Sequence, residues 1–247
     1  MSLISIILPY YKKKNFLRES INSILNQTYQ NFEILLIDDE VSEDSLNFLE
    51  EIKKCDSRIH LIKNEYNIGA GESRNRAIKF SKGQYIAFCD CDDLWKNNKL
   101  ELQLKFMKKF NLNFSHTSYE IIDENNKILG HRLIDEDINF NKLINSCDIG
   151  LSTVMVNQAV FNDAEHRFAK IKTKEDYVLW LILAKQGFKI IGINENLTSW
   201  RKTKNSLSSS VFQKLLDEYK VYRIYMKYSR LKSLFCLIRL SVNYILK

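Results

Sequence analysis

The chain has 247 residues, 45% hydrophobic and 27% charged, so it can bury a real core and is not disordered as a whole. Seven glycines and one proline exclude collagen-like and linker-like chains, and no apolar run reaches the ~18 residues of a spanning helix. The net charge of +7 is local: Lys220, Arg223, Lys227, Arg230, Lys232, Arg239 and Lys247 all follow the last acidic residue, Glu218, so residues 1–218 are balanced.

The N-terminal segment lacks the basic start and small-residue cleavage site of a signal peptide. Leu3–Leu8 is a short apolar run that closes at Pro9 and reads as a buried strand. Asn15 can cap a helix with Leu17, Ile21, Ile24 and Leu25 at helical spacing. Phe32–Ile37 is a second strand, closed by Asp38-Asp39. Ser42 can cap the next helix, whose Leu46, Leu49 and Ile52 share a face. Ile59–Ile62 is a third strand. A loop with Gly69 and Gly71 leads to a helix from about Ser73 to Ser81, which Gly83 is expected to end. Tyr85–Cys89 is a fourth strand and runs into Asp90-Cys91-Asp92-Asp93.

Strands alternating with helices predict a parallel sheet with crossover helices. Residues 1–95 therefore read as a nucleotide-binding α/β half, whose ligands sit outside the carboxyl ends of the strands. Asp38-Asp39 and Asp90/Asp92 fall at two such ends. After residue 96 the pattern is mixed: a helix over Asn97–Phe110, then Phe114–Ile122 and Lys127–His131 around an Asn125-Asn126 turn. A strand at Ser152–Asn157, a helix at Glu175–Gln186 ended by Gly187, and a strand at Phe188–Ile193 follow. No linker separates the halves, so the expectation is one domain over 1–210, with helices over 211–247.

Four segments can carry chemistry. Three carboxylates in Asp90–Asp93 repel one another unless a cation or donors offset them, and oxygen ligands suit Mg²⁺ or Mn²⁺. The same residues could simply begin a helix. Asn67–Asn75 has glycines that admit a ligand to the backbone, and Arg74 can meet a phosphate. Glu175-Asp176 opens a helix, where negative charge is stabilising by itself, and either residue could serve as a general base. Arg201, Lys202 and Lys204, interleaved with hydroxyls, suit a diphosphate or form a solvated loop. The five cysteines are irregularly spaced and predict a reducing compartment, and the four histidines have no metal spacing.

Order and spacing say more than any one segment. The chain resembles the family 2 glycosyltransferases of the GT-A fold. The likeness rests on Ile6-Ile-Leu-Pro-Tyr-Tyr11, Leu17-x-x-Ser-Ile-x-Ser-Ile-Leu-x-Gln-Thr-Tyr29 and Phe32-Glu-Ile-Leu-Leu-Ile-Asp-Asp39. It continues through Asn67-x-Gly-x-Gly-x-x-Arg-Asn75, Gly83-x-Tyr-Ile-Ala-Phe-x-Asp-x-Asp-Asp93, Glu175-Asp-Tyr-x-Leu-Trp180 and Arg201-x-x-x-x-Ser-x-Ser208. The resemblance implies an α/β GT-A fold: a Rossmann-like half, a mixed central sheet, an acceptor half over 96–210 and C-terminal helices. It implies inverting transfer from a nucleotide diphospho-sugar, assisted by Mn²⁺ or Mg²⁺.

By position, Pro9 and Tyr11 would line the base, and Asp39 would accept from the base ring, favouring uracil. Arg74 would lie against the nucleotide or its phosphates. Asp90 and Asp92 would form the DXD element, with Asp92 nearer the metal. Asp176 would be the base, with Glu175 beside it, and Arg201 and Lys204 would close over the diphosphate. Two positions depart from the family: Lys12 stands where Asn is usual, and Asp38-Asp-Glu-Val41 replaces Asp-Asp-Gly-Ser.

The tail, 219–247, mixes aromatic and aliphatic residues with seven cations and can lie on an anionic membrane. A helix packed on the domain, or a dimer contact, suits the same residues. The expected setting is the cytoplasm, peripheral on the inner face of its membrane, with a glycan or lipid-linked acceptor in surface polysaccharide or lipooligosaccharide synthesis. The competing reading is a non-catalytic nucleotide-sugar or carbohydrate-binding module. No recognised motif supports a nucleic-acid partner.

Overall fold

A computed structural model describes residues 1–134, 137–146, 148–203 and 210–245. The first half alternates as the sequence predicts: β1 (Ile4–Tyr10), α1 (Lys14–Leu25), β2 (Phe32–Asp38), α2 (Glu43–Lys54), β3 (Ile59–Lys63), α3 (Ala70–Phe80) and β4 (Tyr85–Phe88). The second half holds β5 (Leu94–Trp95), α4 (Lys99–Lys109), β6 (Phe114–Ile122), β7 (Ile128–Arg132), β8 (Asp137–Ile138), α5 (Phe140–Leu143) and β9 (Met155–Asn157). It continues with α6 (Glu175–Lys185), β10 (Ile190–Arg201), α7 (Val211–Lys220) and α8 (Arg230–Ile245).

One sheet runs through both halves in the order β3-β2-β1-β4-β9-β6-β10-β5, with β7 on β6 and β8 on β10. The strands β3, β2, β1 and β4 are parallel. Strand β9 enters antiparallel between β4 and β6, and β10 returns parallel to β6. The sheet is therefore mixed. Its order reverses between β1 and β4, and this switch point is where open α/β sheets receive ligands.

Alternate residues of β1 serve two cores. Ile4, Ile6 and Leu8 pack with Leu17, Leu49 and Leu104, while Ile7 joins Ala77, Trp180 and Tyr222 on the other face. Helices α1, α2 and α4 thus cover one face of the sheet, and α3, α6 and the C-terminal helices the other.

Several local expectations change in the structure. Pro9 lies inside β1, not after it. Tyr10 O accepts from Asp39 N, so the alternating backbone of Pro9 faces β4, whose pairing with β1 ends at Ile7–Phe88. The missing N–H costs the sheet nothing there. Lys13, not Asn15, occupies the N-cap of α1, without a side-chain bond. Ser42 caps α2 as expected, in a reciprocal box with Ser45. Gly83 does not end α3, since Ser81 is its C-cap. Gly83 instead lets β4 approach β1, because a Cβ there would lie 2.5 Å from Ser5 N. Gly187, at φ +86°, does follow α6.

Candidate active site

The switch point collects three loops. The end of β1 carries Pro9 and half-exposed Tyr11, the end of β2 carries Asp38-Asp39, and the end of β4 carries Asp90–Asp93. Both Asp38 and Asp39 are buried, and they divide the work. Asp38 Oδ1 accepts from the N–H groups of Glu40 and Val41 and from Ser45 Oγ, which fixes the turn into α2. Asp39 Oδ1 accepts from Asn64 Nδ2 and Ile68 N, both at 2.8 Å. Its Oδ2 accepts from Gly69 N at 3.0 Å and Asn67 Nδ2 at 3.2 Å. Asp39 therefore ties the glycine loop to the end of β2.

That loop turns into α3 through Gly69, at φ +86°, where only glycine is free of strain. A Cβ on Gly71 would lie 3.0 Å from both Ala169 O and Glu175 Cγ. The two glycines thus let α3 press against the start of α6. This contact presents Arg74, whose side chain is 4% exposed. Its Nη2 donates to Asp90 Oδ1 and its Nη1 to Glu175 Oε1, both at 2.6 Å. The next residue, Asn75, exchanges two hydrogen bonds with the Phe168 backbone and so anchors the segment leading to α6.

Arg74 sets the electrostatics of this cluster. Burial opposes its charge, but Asp90 and Glu175 outweigh that and hold it above its usual range. Burial pushes Glu175 up to about 7 against the pull of Arg74, and Asp176 adds to the rise. Burial also raises the Asp176 carboxyl, against Arg74, the Tyr177 N–H and Lys174. Asp176 Oδ1 accepts from Tyr177 N at 2.7 Å. Glu175 is committed to Arg74, whereas half-buried Asp176 has no such ion pair among the described residues.

Asp92 faces a different cation. Lys13 Nζ lies 2.8 Å from Asp92 Oδ2 and donates to Thr203 Oγ1 at 2.5 Å. Burial raises the Asp92 carboxyl, and Lys13 opposes the rise. Asp93 is structural: Ser152 Oγ donates to its Oδ2 at 2.5 Å and Arg201 N to its Oδ1 at 2.9 Å. Ser152 Oγ also accepts from Asp90 N, so one hydroxyl holds both ends of the acidic turn.

Arg201 is placed otherwise than a solvated loop residue. Strand β10 is longer than its apolar start suggests, and it carries Arg201 to a buried site paired with Ile122. The guanidinium donates to Asp92 O, Asp123 O, Asn126 Oδ1 and Glu19 Oε2. It clamps the acidic turn from behind. Lys204, with Ser206 and Ser208 of the same motif, lies outside the described residues.

The structure thus joins Arg74, Asp90, Glu175 and Asp176 in one cluster and places Asp92 with Lys13 beside it. Pro9, Tyr11 and Asp39 line the adjoining strand ends. The acids fit a divalent ion: Asp90 and Asp92 are hard oxygen donors on alternate residues, each with one oxygen outside the bonds above. Two carboxylates are what Mn²⁺ or Mg²⁺ needs when a diphosphate and water complete the shell. Two cavities, of about 430 and 300 Å³, lie between α1 and α2 and beside the end of β1, and their linings do not include the acidic turn.

Comparison with known proteins agrees with this geometry. The model of Glycosyl transferase family 2 matches residues 5–164. A GSKIP domain model matches residues 136–231, but β9 and β10 within that range are built into the common sheet. A relative from Escherichia coli, UDP-Glc:alpha-D-GlcNAc-diphosphoundecaprenol beta-1,3-glucosyltransferase WfgD, is 40% identical over 89% of this chain and 85% of its own length. The putative teichuronic acid biosynthesis glycosyltransferase TuaG of Bacillus subtilis is 31% identical over 99% of this chain and 97% of its own. The fold is the GT-A fold. S. aureus TarS in complex with UDP-GlcNAc matches with a TM-score of 0.76 at 19% identity, over 97% of this chain and 71% of that one. Mannosyltransferase PcManGT from Pyrobaculum calidifontis, in complex with GDP-Man and Mn²⁺, matches at 0.71 and 11% identity, over 97% and 73%. These matches, together with the acidic turn, the glycine loop and the Glu175-Asp176 helix start, establish that the chain is an enzyme belonging to glycosyl transferase family 2.

Proposed function

We propose that the enzyme moves a sugar from a UDP-sugar to a hydroxyl of a lipid-linked glycan, with inversion at the anomeric carbon. The observation that carries this reading is Arg74, which bonds Asp90 and Glu175 at 2.6 Å each and so joins the diphosphate end of the crevice to the base end. WfgD and a second E. coli relative, WfaP at 35% identity, are both named as UDP-Glc transferases acting on GlcNAc-diphosphoundecaprenol. UDP-glucose and a GlcNAc-diphospho-polyprenol are therefore the first donor and acceptor to try. Residues 1–95 hold the nucleotide and residues 96–210 the acceptor. The acceptor is a membrane lipid, which places the reaction on the inner face of the cytoplasmic membrane.

Pro9 and Tyr11 flank the base, and Asp39, whose oxygens also hold the glycine loop, stands beside the ring. Asp90 and Asp92 would hold Mn²⁺ or Mg²⁺ together with the diphosphate. The ion, when bound, offsets charge on the leaving diphosphate. Lys13 supplies a second positive charge beside Asp92, and Arg201 keeps the turn in shape from behind. Lys204 belongs to the segment expected to close over the diphosphate. Asp176 takes the proton of the acceptor hydroxyl as that oxygen attacks the anomeric carbon. Glu175 is held by Arg74, which leaves Asp176 as the free carboxylate at the helix start. Direct displacement requires no protein nucleophile.

Calorimetry of UDP binding, with GDP and dTDP as controls and with or without Mn²⁺, tests the reading. Asp92→Asn is expected to remove the metal-dependent part of UDP binding. Equal binding of all three nucleotides would remove the uracil assignment. UDP binding without transfer to any lipid-linked acceptor would leave the binding-module reading in its place.

A further inference from the structure

The C-terminal helix α8 is apolar on two opposite sides. Ser233, Cys236, Leu237 and Leu240 recur at helical spacing and face inward, with Cys236, Leu237 and Leu240 packed on the core. Leu231, Leu234, Phe235, Ile238 and Val242 form a second stripe, 46–83% exposed. At ~100° per residue this outer stripe lies opposite the packed one, with Arg230 on one flank and Lys232 and Arg239 on the other. All three cations are exposed, as are Arg223 and Lys227 just before the helix. Helix α7 adds Val211 and Phe212, 69% and 72% exposed.

We propose that this face seats on an anionic lipid bilayer, with the α8 stripe among the acyl chains and the flanking cations at the headgroups. An apolar stripe bordered by Lys and Arg on both sides is the pattern of a helix lying in a membrane interface. Helix α8 has 16 residues, ~24 Å of length, which is less than the ~30 Å of a bilayer core. Among the described residues, no helix is long and apolar enough to cross a membrane. A second copy of the chain suits the face poorly. A two-fold contact would set the cationic rim against an identical rim. No acidic residue follows Glu218, and Asp217 and Glu218 are buried and already bonded inward.

Those inward bonds give the seating a consequence for the site. Asp217 Oδ2 accepts from Thr173 N and Thr173 Oγ1, both at 3.1 Å. Glu218 Oε1 lies 3.1 Å from Lys174 Nζ. Thr173 and Lys174 immediately precede Glu175 and Asp176. Helix α7, which packs against α8, is therefore bonded to the base end of the crevice and joins that end to the seated face. The seating stands on the face itself and does not depend on which sugar is moved.

Flotation of the full chain with vesicles tests it. Vesicles of phosphatidylcholine alone are compared with vesicles containing about one third phosphatidylglycerol. The wild type is expected to float with the anionic vesicles and to lose binding steeply with salt. Leu234→Ser/Phe235→Ser removes apolar contact without changing charge, and Lys232→Gln/Arg239→Gln removes charge alone. Each pair is expected to weaken binding about tenfold or more. All four side chains are exposed, so matching thermal melts will verify that the variants are folded. Failure of the wild type to bind anionic vesicles would overturn the proposal. So would binding that the Leu234/Phe235 pair leaves unchanged. A dimer that the same pair dissolves, with no vesicle binding, would assign the face to a second copy instead.

Discussion

At the scale of single residues, the site turns on which of two adjacent carboxylates is free. Glu175 is paired to Arg74 and Asp176 is not. Asp176→Asn keeps the shape but cannot take a proton. It is expected to lower kcat by about 10² to 10⁴ while leaving UDP affinity in place. The acid limb of kcat/KM carries a second expectation. With Asp176 as the proposed base, transfer needs it ionised, so activity is expected to rise with pH as the pair loses protons. Burial lifts both carboxyls, Glu175 to about 7, so this limb lies above the ordinary carboxylate range. Glu175→Gln removes a like charge beside Asp176 and is expected to move the limb to lower pH. Full activity in Asp176→Asn, with loss in Glu175→Gln, would exchange the two roles. The motif residues were legible in the sequence because their order is distinctive. Lys13 and Ser152 were not. Ser152 acts on Asp93 from 59 positions away, and nothing local to it signals that contact.

At the scale of elements, strands and helices of the first half followed from hydrophobic period and turn residues, since each was a short run with clear punctuation. Strand β10 did not. Asn194-Glu195-Asn196 breaks its alternation, and the ladder with β6 shifts register twice around Asn196 before continuing to Arg201. A reader of the sequence stops at Ile193 and takes Arg201 for a loop residue. The turn from β2 to α2 shows a different cost. Val41 adopts φ +60°, a conformation poorly tolerated by a β-branched side chain, and it is 39% exposed, so it gains little from packing. Asp38 holds its N–H in place all the same. Val41→Gly removes the strain, worth about 1 to 2 kcal/mol, and adds about 0.5 to 1 kcal/mol of unfolded-chain entropy. The net expectation is about 1 kcal/mol of added stability, read as a higher urea midpoint with an unchanged slope. A lower midpoint would mean that Val41 makes contacts that offset its conformation.

At the scale of the whole molecule, one sheet carries both halves, and its middle is unusually polar. Ser115, His116, Thr117 and Ser118 of β6 are all fully buried, a run that composition alone would place at the surface. His116 sits opposite Gly192 of β10, where a Cβ would come within 3.0 Å of its ring, and both ring nitrogens are buried without a hydrogen-bond partner. Burial lowers its pKa to about 3, although Asp148 pulls the other way. The folded protein therefore keeps His116 neutral, while the unfolded chain protonates it near 6.5. A lowered folded pKa means stability that is full above about 6.5 and is lost as pH falls toward 3. By pH 4 the loss from this one group reaches about 3 kcal/mol. The raised carboxyls of Glu175 and Asp176 act in the opposite sense, being more protonated in the folded state, so the wild-type curve alone mixes the two. His116→Leu isolates the histidine. Its melting temperature is expected to fall less than that of the wild type between pH 7 and pH 4, while the carboxyl contribution is common to both. Parallel curves would mean that His116 keeps its proton balance on folding and that the middle of the sheet admits water.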